Sequence, residues 1–117
     1  MTARNILFAF ALSALTFAGV VEDAQKLSKD GKYDEAIAIL EKANVKQAPI
    51  AKALADTHLA KADFFMTNSQ VPPRVKYTTA LHEYRKTLEY DKTNKKAQDN
   101  IKTIEDIYKQ MGREVPK

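Results

Sequence analysis

Two histidines, His58 and His82, are the residues best suited to proton transfer or metal binding in a chain that has no cysteine. His58 has Asp56, Lys61 and Asp63 close by in sequence, but neither histidine sits in a ligand spacing such as HExxH. On a helix His58 meets Leu54 and Ala62, which reads as packing rather than coordination. The adjacent carboxylates Asp34-Glu35 and Glu105-Asp106 diverge on a helix and suit helix starts and surfaces better than a general acid–base pair. No nucleophile, base and orienting group can be assembled. The expectation is therefore no enzyme, with no catalytic, metal or cofactor-binding residues and no cofactor.

The lack of cysteine also excludes a disulfide framework and lipid attachment through an N-terminal Cys. Three glycines in 117 residues cannot build a glycine-rich phosphate loop. From Pro72 onward the chain carries 11 basic and 7 acidic residues, yet the acidic ones interleave and no aromatic platform accompanies them. A solvated basic face is expected there, and no nucleic-acid partner.

The elements that would position any site begin with a separate segment. No charge occurs from Asn5 to Val21, Arg4 precedes that run, and Thr16 and Ala18 are small residues at its end. This is the layout of a secretory signal, with cleavage expected after Ala18. Retained, the run would serve as a membrane anchor reaching residue 21, and only then is a membrane partner implied. Either way the remainder is exported, to the periplasm or beyond. The expected divisions are a signal over 1–18, a helical domain over 19–111 and a C-terminal tail over 112–117.

The mature part is rich in helix formers, and the breakers Gly31, Pro49, Pro72-Pro73 and Gly112 cut it into five pieces. Helices are predicted at about Val20–Lys29, Tyr33–Asn44, Ala48–Thr67, Val75–Tyr90 and from Asn94, as cap, to Met111. Gly31 and Gly112 would end helices in the left-handed conformation.

The chain also repeats itself. Gly31–Ala43 aligns with Val75–Thr87 at an offset of 44, with Lys32/Lys76, Tyr33/Tyr77, Ala36/Ala80 and Lys42/Lys86 identical. Gly31, Tyr33, Ala36, Ile37, Leu40 and Ala43, with the matching Tyr77, Ala80, Leu81 and Tyr84, resemble the tetratricopeptide repeat (TPR) family. The offset is longer than the usual repeat of that family, and Lys92 stands where its linker commonly has Pro.

The resemblance implies an all-α fold of helical hairpin repeats: a TPR-like right-handed α-solenoid of two repeats plus a C-terminal capping helix. It implies that Gly31, Tyr33, Ala36, Leu40, Tyr77, Ala80 and Tyr84 pack the repeats. It also implies a concave groove lined by the first helix of each repeat. Carried over by position, Gln25 and Lys29, Asp63 and Met66, and Asp99 and Thr103 would face a bound protein or peptide. The expected function is a non-catalytic protein–protein interaction scaffold of a bacterial cell envelope. The alternative is a structural or assembly subunit that acts by self-association, as a homo-oligomer, or by membrane tethering.

Overall fold

The computed structural model describes residues 19–117. The expected signal over 1–18 and its cleavage point lie outside the described residues. Among the described residues there are five helices and no strand. Residues 19–29 are helical (α1), followed by α2 (Tyr33–Glu41), α3 (Ala48–Thr67), α4 (Pro73–Tyr90) and α5 (Lys95–Gln110). No described helix is long and apolar enough to cross a membrane.

Each helix end has a local cause. Gly31, at φ 77°, ends α1: the Gly31 N–H donates to the Ser28 carbonyl and the Lys32 N–H to the Leu27 carbonyl. This six-to-one and five-to-two pattern satisfies carbonyls that the helix itself leaves open. Gly112, at φ 67°, ends α5 the same way, with the Gly112 and Arg113 N–H groups donating to the Lys109 and Tyr108 carbonyls. The Asn94 side chain caps α5 by accepting from the Ala97 N–H at 3.0 Å.

Two boundaries differ from the predicted ones. α2 stops at Glu41 rather than Asn44, and the chain turns before Ala48. α4 starts at Pro73, two residues before Val75, because proline at a first helical position gives up an N–H that would have no helical partner anyway.

The core falls into two clusters that share α3. The first joins Ile50, Ala53 and Leu54 of α3 to Ala24 of α1 and to Ala36, Ile37 and Leu40 of α2. The second joins Ala62 of α3 to Ala80, Leu81 and Tyr84 of α4 and to Ala97, Ile104 and Tyr108 of α5. Consecutive helices pack on one another from α2 to α5, so the 20-residue α3 acts as a spine.

Among the residues expected to pack the repeats, Ala36, Leu40, Ala80 and Tyr84 are all fully buried. The two alanines leave room for close helix approach, where a longer side chain would force strain. Tyr33 and Tyr77 are only half-buried. Gly31 does not pack at all: a Cβ there would meet nothing within 4 Å, so its contribution is the left-handed turn.

Candidate functional site

α1 and α3 lie side by side and leave a groove of about 420 Å³ between them. Gln25, Ser28 and Lys29 line it from α1, and Asp56 and Thr57 from α3. Its floor is made by Ala24 and Ala53, whose small side chains keep the space open. The Thr57 hydroxyl donates back to the Ala53 carbonyl at 2.7 Å, which leaves its oxygen able to accept. Asp56 pairs with Lys52 one turn earlier, at 2.8 Å on an exposed face, where such a pair is worth little. The rim thus offers an amide, a hydroxyl, an ammonium and a carboxylate over a shallow apolar floor.

Of the six residues expected to face a groove, only Gln25 and Lys29 line this one. Asp63 is instead consumed by packing. Its Oδ1 accepts from the Tyr84 hydroxyl at 2.6 Å and its Oδ2 from the Lys96 ammonium at 2.6 Å. Met66 is half-buried against the second core. Asp99 and Thr103 sit on the exposed face of α5, where Asp99 pairs with Lys95 and the Thr103 hydroxyl donates to the Asp99 carbonyl. The α3 residues that do line the groove lie about two turns before Asp63. The C-terminal half of α3 faces α4 and α5, so its polar residues are drawn into helix contacts there.

The second chemical cluster is built around a buried pair. His58 Nδ1 lies 2.6 Å from Glu83 Oε2, with side-chain exposures of 7% and 6%. Lys61 donates to Glu83 Oε1 at 3.1 Å and to Asp34 Oδ1 at 2.7 Å. The Tyr90 ring stacks on the His58 ring at a centroid distance of 5.9 Å. The cluster ties α2, through Asp34, to α3 and to α4. Sequence reasoning placed His58 against Leu54 and Ala62 but gave it no ionic partner, because Glu83 is 25 residues away in the chain.

Burial pushes the Glu83 carboxyl up, but hydrogen bonds from His58 and Lys61 together outweigh that and hold it below its ordinary value. Burial likewise pulls the Lys61 ammonium down, and its bonds to Asp34 and Glu83 reverse the effect, leaving it raised. With His58 and Glu83 buried between the helices and Asp34 at the surface, this cluster is arranged to lock them together.

A third network surrounds Tyr84. Its hydroxyl donates to Asp63 and accepts from Asn100 Nδ2 at 2.9 Å. Burial and the Asp63 carboxylate both raise the Tyr84 phenol well above its ordinary value, so it stays a donor. Among the described residues, no buried side-chain nitrogen or oxygen lacks a partner, and no three metal-ligating side chains converge. His82 is exposed on α4.

Comparison with protein-family models, with curated proteins and with solved structures found no match.

Proposed function

We propose that the chain is a non-catalytic protein-binding module that takes an extended peptide segment of a partner in the groove between α1 and α3. The observation that carries this reading is the meeting of Gln25 and Lys29 with Asp56 and Thr57 over the Ala24–Ala53 floor. An amide and a hydroxyl can bond peptide backbone, while Lys29 and Asp56 select charge. A groove built on helices is already formed before binding, so little ordering entropy opposes association.

In this reading the helices form a TPR-like right-handed stack of two hairpins, α1–α2 and α3–α4, with α5 as the cap. Supporting it are the internal repeat at an offset of 44 and the burial of Ala36, Leu40, Ala80 and Tyr84 at matching positions. The function is placed in a bacterial cell envelope, with residues 1–18 as an export signal. Mass spectrometry of the exported protein should then find Gly19 as the first residue, and an intact Met1 in the membrane fraction would contradict this.

The binding claim is tested by Lys29→Glu combined with Gln25→Ala. Both residues are exposed, so helicity should be unchanged while partner recovery after crosslinking in cells falls by about tenfold or more, as for a lost charge-assisted contact. Unchanged recovery would remove the groove from the account.

A second reading, self-association, is favoured by one feature. Phe64 is 45% exposed and stands with Tyr33 and Phe65 in an aromatic cluster at the surface. Light scattering separates the two: a monomer supports the peptide binder, and a dimer dissolved by Phe64→Ser supports assembly.

A further inference from the structure

A cleft of about 750 Å³ lies away from the α1–α3 groove, between the start of α4 and the end of α5. That is within the usual size of ligand sites, roughly 300–1,000 Å³. α4 contributes Arg74 and Tyr77, α5 contributes Tyr108, Met111 follows as its C-cap, and the C-terminal segment closes the rim with Arg113 and Pro116.

The lining is a single-sign site with an apolar floor. Two arginines line it, no carboxylate does, and among the described residues neither Arg74 nor Arg113 has an ion-pair partner. Two of the neutral polar groups beside them, the Thr78 and Tyr108 hydroxyls, are already engaged. The Thr78 hydroxyl donates to the Arg74 carbonyl at 2.8 Å and lies 2.9 Å from the Tyr108 hydroxyl, which fits Tyr108 as the donor of that second bond. The tyrosine rings and Met111, 49% exposed, supply the apolar contact.

The wall formed by the C-terminal segment is held in place. Gly112 turns the chain, Val115 packs on the second core, and Arg85 donates to the Pro116 carbonyl at 2.8 Å.

We propose that this cleft is a second binding site, for an acidic segment of a partner protein that carries a large apolar side chain between its carboxylates. Guanidinium forks bind carboxylates in a two-point geometry, and the tyrosine and methionine surfaces accept an aromatic or aliphatic side chain. The site is concave with two cations, which suits a short acidic segment rather than a track of phosphates or a flat anionic membrane.

Calorimetric titration of the purified protein at low salt tests this, using a blocked pentapeptide Glu-Phe-Glu-Leu-Glu and its counterpart with glutamine for every glutamate. The glutamate peptide should bind at least about tenfold more tightly than the glutamine peptide. Arg74→Gln and Arg113→Gln should each weaken it about tenfold, and Met111→Ser by a smaller factor, all with unchanged helicity and melting temperature. Lys29→Glu, in the other groove, should leave this binding unaltered. Equal binding of the two peptides would overturn the proposal. So would indifference to both arginine substitutions, or binding to vesicles of anionic phospholipid with none to the peptide.

Discussion

The two hairpins carry the same pattern of small and large residues but hold together by different physics. At matching positions the first has Ile39 and Leu40, and the second has Glu83 and Tyr84. Leu40 and Tyr84 are both fully buried, and Ala36 and Ala80 give both hairpins the same close approach. The core of the first hairpin is therefore apolar, and its ionic tie to α3, Asp34 with Lys61, lies at the surface. The second adds a buried carboxylate answered by His58 and Lys61, and a buried phenol answered by Asp63 and Asn100. A repeat can thus keep its spacing while one copy becomes specific, because polar groups in a core fit only with their particular partners.

Replacing Glu83 with the isoleucine of the first hairpin breaks this comparison most directly. It leaves His58 buried without its acceptor, and Glu83→Ile should cost about 3–5 kcal/mol in urea unfolding. Adding His58→Leu should recover part of that loss, since an apolar pair can replace a buried hydrogen-bonded polar one. The corresponding test of the first hairpin is Leu40→Ala, expected to cost about 2–5 kcal/mol through lost burial and a cavity.

Acid sharpens the contrast. The folded Glu83 carboxyl lies below its ordinary value of 4.5, so its stabilisation is complete above that value and is lost as pH falls through the lower folded one. The wild type should lose stability below about pH 4.5 more steeply than Glu83→Gln does, as read from urea midpoints at successive pH values.

Tyr84→Phe keeps the ring but removes the hydroxyl shared by Asp63 and Asn100, and should cost about 1–3 kcal/mol. Smallest is Gly31→Ala, about 1–2 kcal/mol from the left-handed backbone alone, since the space around it is open.

The helices were legible in the sequence because their breakers and caps act locally. Gly31, Gly112 and Asn94 needed only their own neighbours to be read correctly. The buried alanines were legible through the repeat. The site was less so. Gln25 and Lys29 lie on the opposite side of a short helix from Val20 and Leu27, and their exposure follows from position.

Asp63 and Met66 sit on a 20-residue helix whose two halves face different partners, so one register could not describe both. Asp56 and Thr57 carried a usable signal: polar residues three and four positions after the small Ala53, on the half of α3 that faces α1. Glu83 carried one too, as an acidic residue where the first hairpin has isoleucine. The cleft at Arg74 and Arg113 depends on the chain folding back after Gly112, which no local pattern announces.

The central claim is that a partner sits between α1 and α3. Site-specific photo-crosslinking tests it most directly, with the photoreactive residue placed in turn at Gln25, at Met66 and at the exposed α5 residue Gln98. The account predicts a discrete protein adduct from position 25 that Lys29→Glu abolishes, with none from 66 or 98. Adducts of equal yield from all three positions, or none from position 25 where 66 gives one, would contradict it.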